Sequence, residues 1–362
     1  MNKDYYNDLR KLLCKNHKKK YCLLTGNATT ALYLSLKSLP EKIKRIGIIN
    51  NSCIHIPISI ILAKKKAVYI DINLKDFSID INDLKKKKVD ALIAIHSFGY
   101  ECDIKKIKNY TRKNNIFLIE DLAVAQGLVC KNKAPVGYFG DISILSFGSG
   151  KVINAGGGGA LLTNNFDTFK RLLEFNKGLE SFTHSKKINI EKISKLHTKV
   201  YNQIYIFKKD KNLLNMFKIY VKKNSKNFIY KFENHRAKKI FLKTKNIKEY
   251  IDLRRKNYIE IYKRLTKIKN NKYNFLPIKS SFIPWRFNIF FKENEDRNFV
   301  MRELLKKKLN ISSWYSGLDI FFSNDKKLKN SNHISKSIMN IWINEESTYN
   351  YRNRVANFLL KL

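Results

Sequence analysis

Ile142-Ser143-Ile144-Leu145-Ser146-Phe147-Gly148-Ser149-Gly150-Lys151 is an apolar run that breaks into a turn of small residues and ends on a lysine. Upstream, Ile116-Phe117-Leu118-Ile119-Glu120-Asp121 is a second apolar run, and it ends on carboxylates. A lysine held in such a turn can approach a planar carbonyl compound and form an imine. An aspartate at the end of a neighbouring strand can meet a pyridine nitrogen. Together these requirements describe a site for pyridoxal 5'-phosphate (PLP), with Lys151 and Asp121 as its chemical pair.

Two other readings of the glycines fail on spacing. A phosphate-binding P-loop needs glycine at 145 and serine or threonine at 152, where the chain has Leu145 and Val152. Gly156-Gly157-Gly158-Gly159 runs into the strand-like Ala160-Leu161-Leu162-Thr163 and not into a helix, so it is no dinucleotide loop. Its expected use is a tight backbone path beneath a cofactor.

Working outward, residues 20–165 alternate β-rich runs with helical stretches. The runs are Tyr21–Leu24, Ile46–Ile49, Ala67–Ile72, Ala91–His96, Ile116–Glu120, Ile142–Ser146 and Gly159–Thr163. Asp103 is positioned to cap a helix over Ile104–Tyr110. Strands buried on both faces with crossover helices imply an α/β sandwich, whose sites gather where strands end and helices begin. Residues 166–250 are basic, aromatic-rich and expected to be helical, with Leu213, Phe217 and Tyr220 on one stripe. Residues 251–362 read as a small α+β domain: a strand over Arg286–Phe291, Asp296 capping a helix over Arg297–Lys308, and a C-terminal stripe of Tyr351, Val355, Phe358, Leu359 and Leu362. The division is therefore 1–165, 166–250 and 251–362.

Composition narrows the classes. The 362 residues hold ample core, and 44% hydrophobic content is ordinary for a globular chain. The longest apolar stretch, Ile54–Ala63, is too short to span a bilayer, and the N-terminus has no signal-peptide pattern. Five cysteines without framework spacing fit a reducing compartment, so the expected location is cytoplasmic. Seven histidines in no ligand pattern give no metal site. The net charge of +42 is spread over the chain and accompanies only 14 Gly and 5 Pro, the mark of an AT-rich genome. It gathers in no tail or reading helix, which argues against specific nucleic-acid binding. The basic stretch Lys209–Lys223 reads as a helix packed on its own protein, not on a membrane.

The motifs, taken in order, resemble the DegT/DnrJ/EryC1/StrS family of PLP-dependent (fold type I) nucleotide-sugar aminotransferases. Thr25-Gly26-Asn27-Ala28-Thr29-Thr30-Ala31-Leu32 is similar to that family's phosphate loop. Ala67–Ile72 followed by Phe77-Ser78-Ile79-Asp80, His96-Ser97-Phe98-Gly99 with Asp103, and Ile119-Glu120-Asp121-Leu122-Ala123 follow its next segments. Phe139-Gly140-Asp141-Ile142 through Ser146-Phe147, Lys151 and Gly157-Gly158 complete the run over residues 20–165.

The resemblance implies the PLP-dependent transferase fold type I: a large domain with a mixed, mostly parallel seven-stranded sheet between helices, plus a small C-terminal α+β domain. It implies that Lys151 forms the imine with the cofactor and that Asp121 pairs with the protonated ring nitrogen. Ser146, Ala28 and Thr29 would bind the phosphate, helped by a helix starting near Thr30. Cys53 stands where an aromatic usually covers the ring face. Val124 stands where many members carry Gln or His, with Gln126 nearby. The family's partner-subunit N-Y-R motif is not recognisable between 175 and 250, Tyr201-Asn202 being at best a remnant.

The implied reaction is transfer of an amino group, with glutamate as donor, to a keto group of a nucleotide-linked sugar, in a homodimer that serves surface polysaccharide or glycan synthesis. The rivals are a sugar 3-dehydratase, which would carry histidine in place of Lys151, a catalytically degenerate PLP-binding homologue, and a basic nucleic-acid-binding regulator on the same fold.

Overall fold

In the computed structural model, residues 4–205, 211–267, 270–276, 278, 282–315, 317–322 and 328–362 are described. The seven apolar runs are seven strands: β1 (Tyr21–Thr25), β2 (Arg45–Ile49), β3 (Lys66–Ile70), β4 (Ala91–Ile95), β5 (Phe117–Asp121), β6 (Ile142–Ser146) and β7 (Gly159–Thr163). They form one sheet in the order β1-β7-β6-β5-β4-β2-β3. The strands from β6 to β3 pair in parallel, while β7 runs antiparallel to both β1 and β6. Strands β4, β6 and β7 are buried along their whole length, as a sheet covered on both faces requires. The expected architecture is the observed one.

Helix α1 (Tyr5–His17) is capped by Asp4, and α2 (Ala28–Ser38) by Asn27, whose side chain accepts from the Thr30 N–H. The helix α2 thus begins two residues earlier than the sequence suggested, because asparagine is the stronger cap. Helix α3 (His55–Leu62) follows β2. The helix after β4 covers Ile104–Lys113 and is capped by Asp103 as expected.

Residues 166–250 are mostly helical, and the stripe of Leu213 and Phe217 is buried. The helix Ile247–Leu265 runs on through residue 250. The C-terminal part holds an antiparallel sheet of β8 (Tyr273–Phe275), β9 (Phe287–Phe291), β10 (Ile311–Ser312) and β11 (Ile338–Ile341), in the order β10-β11-β9-β8. Here Asp296 does not cap its helix. The helix spans Asn294–Lys306 behind Glu293, and Asp296 lies in its first turn, where its charge still favours the helix dipole.

Two of the contacts that join the large sheet to the C-terminal part bear on the site. Asp71 accepts from the N–H groups of Asn330 (3.0 Å) and Ser331 (2.7 Å), the start of the helix Lys329–Ser337. The turn after β4 pairs with residues 283–285: Ile283 donates to Gly99 O at 3.0 Å and Trp285 to Phe98 O at 3.4 Å. Gly99 has φ +86°, and a Cβ there would stand 1.7 Å from Ile283 O, so only glycine permits this approach.

Beneath the end of β5, Glu120 is fully buried. It accepts from the backbone N–H groups of Gly137 (2.6 Å), Phe139 (3.1 Å) and Gly140 (2.7 Å), and from His96 Nε2 at 3.0 Å. His96 Nδ1 accepts from Cys102 N–H, which leaves Nε2 as the donor. Burial alone would raise the Glu120 carboxyl, but His96 and these N–H groups outweigh it and hold it below the ordinary value of 4.5. Because the folded pKa lies below the unfolded one, the stabilisation is complete above the unfolded value and is lost as pH falls through the folded value. Glu120→Gln turns an amide N–H₂ toward these donors and should cost at least about 2 kcal/mol near neutral pH, with a smaller gap at about pH 4. Urea unfolding of both proteins at the two pH values measures this, and a gap independent of pH would mean that Glu120 is not ionised in the fold.

Candidate active site

Lys151 follows the turn after β6, and its neighbours come from five parts of the chain. Its backbone is fixed by Arg254 of the helix Ile247–Leu265, which donates from Nη2 to Lys151 O (2.8 Å) and Gly150 O (3.3 Å) and from Nη1 to Trp285 O (3.0 Å). Arg254 is fully buried and pairs with Glu345 at 3.6 Å. Burial lowers its guanidinium to about 10, against the pull of Glu345 and Glu346. The Lys151 amine lies 6.0 Å from the centre of the Trp285 ring and has no hydrogen bond or ion pair to any described residue. Burial pushes its pKa below that of an ordinary lysine, and the charges of Arg286 and Arg254 push the same way against Cys53 and Asp121.

Asp121 ends β5, buried, and its Oδ1 accepts from Ala123 N–H at 2.8 Å, which leaves Oδ2 without a protein partner among the described residues. Burial raises its carboxyl, opposed by the Ala123 N–H and by Lys151. Cys53, in the loop between β2 and α3, is raised by burial and feels Lys151 and Asp121. His55, at the start of α3, is pushed down to about 4 by burial and by Lys151. Lys151, Asp121, Cys53 and His55 therefore share one neighbourhood. Tyr315 completes it, stacked on Trp285 with ring centres 5.3 Å apart.

The second group of expected residues gathers at the start of α2. Ser146 pairs in register with Gly159, and a Cβ on Gly159 would stand 2.4 Å from Asn27 C and 2.6 Å from Ala28 N. That absent Cβ is what lets β7 seat the helix start beside Ser146. Asn27 satisfies the Thr30 N–H, and the N–H groups of Ala28 and Thr29 open the helix with no partner inside it. The Ser146 hydroxyl has no hydrogen bond to a described residue. This is a ready site for a phosphate dianion. Val124 is buried, and Gln126 Nε2 donates to Ser146 O at 2.6 Å while its Oε1 is buried without a partner. A free amine, a carboxylate oxygen without a partner, an open helix start and a free hydroxyl fit pyridoxal phosphate in kind and number. Among the described residues no group of histidine, cysteine, aspartate and glutamate side chains can hold a metal ion.

Sequence reasoning missed several neighbours. Nothing in the sequence placed Trp285, Arg254 or Tyr315 beside Lys151, because they come from distant segments with no local pattern. One signal was available: Asn234-His235-Arg236 has the N-x-R spacing sought between 175 and 250. Asn234 and His235 are exposed. Arg236 donates to Ala155 O at 3.3 Å and lies against Gly157. Tyr201, the supposed remnant, instead hydrogen-bonds Ser313 O at 2.7 Å. Just before the N-x-R triplet the chain grips the phosphate loop: Asn27 Nδ2 and Thr30 Oγ1 donate to Phe228 O, Tyr230 N–H donates to Thr30 Oγ1, and Gly26 N–H donates to Tyr230 O.

The chain is similar to known proteins in sequence and in fold. GDP-perosamine synthase of Escherichia coli O157:H7 is 31% identical over 167 residues, 43% of this chain and 44% of that enzyme, so the match spans less than half the relative's length. PseC of Helicobacter pylori, an aminotransferase involved in the biosynthesis of pseudaminic acid, superposes with a TM-score of 0.73 at 16% identity over 100% of this chain and 96% of its own. The GDP-4-keto-6-deoxy-D-mannose-3-dehydratase of Escherichia coli, solved with bound hydrated PLP, superposes equally well (TM-score 0.73, 15% identity, 99% of this chain and 92% of its own). The profile of the DegT/DnrJ/EryC1/StrS aminotransferases matches residues 2–359. With a match over nearly its whole length, this chain belongs to the DegT/DnrJ/EryC1/StrS aminotransferase family.

Proposed function

We propose that the protein is a PLP-dependent aminotransferase that converts a keto nucleotide-sugar to an amino sugar, with glutamate as donor, in the cytoplasm. The observation that carries this reading is the unpaired, pKa-lowered Lys151 amine beside the half-free carboxylate of Asp121. The N–H groups of Ala28 and Thr29 and the Ser146 hydroxyl would hold the phosphate of the cofactor, Asp121 its ring nitrogen and Cys53 one face of the ring. Bound there, pyridoxal phosphate supplies the electron sink that stabilises negative charge on the substrate carbon.

The chain's own groups do the rest. Lys151 Nζ takes a proton from the substrate carbon and returns it, and its lowered pKa leaves more of it neutral near pH 7. Asp121 would hold the proton on the ring nitrogen. Arg254 fixes the Lys151 carbonyl, so the amine swings about a rigid backbone. The fold is shared with a dehydratase and does not separate the two reactions. The residue at 151 does, because the dehydratase reading requires histidine there.

Borohydride reduction of the PLP-loaded protein should fix the cofactor to Lys151, read as a mass shift on the peptide that contains it. Label on another lysine, or none, overturns the assignment. Lys151→Ala should lower turnover by ~10²–10⁴-fold or more, the loss expected for a positioned acid–base group. Asp121→Asn should retain bound PLP but lose most of the turnover, because an amide cannot keep the ring nitrogen protonated. Near wild-type turnover would make Asp121 structural.

We further propose a homodimer with sites at the subunit interface, supported by the exposed Asn234 and His235 at the end of the segment that grips the phosphate loop. Two chains of +42 repel, so association should tighten as salt shortens the Debye length toward about 10 Å at 0.1 M. Sedimentation at several salt concentrations measures this, and an active monomer at all of them contradicts it.

A further inference from the structure

Two cysteines meet outside the candidate site, and the reaction as described uses neither. Cys14 lies in the last turn of α1, and Cys22 is the second residue of β1. The helix lies along the start of that strand, where Arg10 donates from Nε to Cys22 O at 2.9 Å. Cys14 stands four residues after Arg10 and therefore on the same face of the helix. Its thiol shares a hydrogen bond with the thiol of Cys22.

The two sulfurs differ in access and in charge. Cys14 is half-buried, whereas Cys22 is 2% exposed. The hydrogen bond from Cys22 holds the Cys14 thiol below the ordinary value of 9.0, against burial, and the Arg10 charge adds to it. Burial pushes the Cys22 thiol well above that value. The outer sulfur is thus the nucleophile that solvent reaches, and the inner one is a protonated thiol in contact with it. A reachable, thiolate-leaning cysteine with a second thiol beside it is the arrangement of a redox-sensing pair. The other cysteines lack it: Cys102 and Cys130 are buried, and Cys53 lies beside Lys151. Packing alone accounts for Cys22 beneath the helix, since a buried thiol behaves as a small apolar group. It does not account for a second thiol directed at it from a half-exposed position.

We propose that Cys14 and Cys22 are an oxidation site, at which a peroxide oxidises Cys14 and Cys22 closes a disulfide. In the first step the Cys14 thiolate takes one oxygen of the peroxide and becomes a sulfenic acid. The O–O bond breaks, and the second oxygen leaves as water or an alcohol. In the second step the Cys22 sulfur attacks the Cys14 sulfur and expels hydroxide, which takes the Cys22 proton and leaves as water. Two thiols are oxidised by two electrons and one peroxide is reduced by two. In a reducing compartment the pair rests as thiols, and small-molecule thiols reopen the bond by exchange. The bond would tie α1 to the edge strand that leads through Thr25 into the phosphate loop. It would also spare Cys14 the sulfinic and sulfonic steps that thiols do not reverse.

The test is stepwise addition of hydrogen peroxide to the purified full chain, then alkylation of the remaining thiols and mass spectrometry of an unreduced tryptic digest. Lys15, Lys18, Lys19 and Lys20 let trypsin separate the two cysteines. The first product should be a peptide pair joined through Cys14 and Cys22, two hydrogens lighter than the separate thiols. Free thiols per unfolded chain should fall from five to three, and dithiothreitol should restore all five. Cys22→Ser should stop at a sulfenic acid on Cys14, trapped by dimedone. Cys14→Ser, at the half-exposed position, should leave Cys22 reduced at the same peroxide, and it keeps the proposal open to refutation if the buried variant does not fold. First oxidation at Cys53, Cys102 or Cys130 overturns the proposal. So does a Cys14 joined to the Cys14 of a second chain, or a Cys22 oxidised as fast in Cys14→Ser as in wild type. None of these outcomes depends on the aminotransferase reading.

Discussion

The candidate site depends on one buried cation, Arg254. Its guanidinium spans the carbonyls of Gly150, Lys151 and Trp285, and so ties the turn after β6 to the segment that enters β9. Each of those carbonyls would otherwise be buried with weaker partners, and the cation would be uncompensated without Glu345. The arrangement is mutually conditional: the turn needs the arginine, and the arginine needs the turn. Trp285 lies beside Lys151 because its backbone is held twice, by Arg254 at its carbonyl and by Phe98 O at its N–H.

The order and type of the strands were legible in the sequence because strands buried on both faces need unbroken apolar runs, and those runs end where the sheet ends. Asp121 and Lys151 were legible for a related reason: one is the last residue of a buried strand and the other ends the small-residue turn that follows one. Asn27, which caps α2, was in plain sight, yet the resemblance led to a helix start near Thr30. Arg254, Trp285, Arg286 and Tyr315 were not legible. They reach the site through tertiary packing across more than a hundred residues of chain, and nothing local distinguishes a buried arginine from the many solvated ones in so basic a sequence.

That basic character takes on a different meaning in the fold. Most of the lysines are solvated, as their scatter suggested. The exceptions are informative. Lys19 is buried, donates to Gly140 O at 2.5 Å and Tyr138 O at 3.2 Å, and is lowered to about 8 by burial. It closes the same 137–140 loop that Glu120 anchors from beneath. Several buried cations, Lys19, Lys186 and Arg254 among them, hold backbone carbonyls, while most of the net charge resides on the surface. Among the described residues, no helix is long and apolar enough to cross a membrane.

The hydroxyl of Thr30 donates to Phe228 O and accepts from Tyr230 N–H, while Gly26 N–H reaches Tyr230 O. A strand end, a helix start and a segment some 200 residues later are thereby closed into one hydrogen-bonded ring. Such a ring opens as a unit, because breaking any link strands buried donors at the others. Filling the anion site at the start of α2 would raise the free energy of that opening by mass action. The distant segment would then fluctuate less whenever the phosphate loop is occupied. Local unfolding at residues 225–231 thus becomes a readout of loading at residues 26–30.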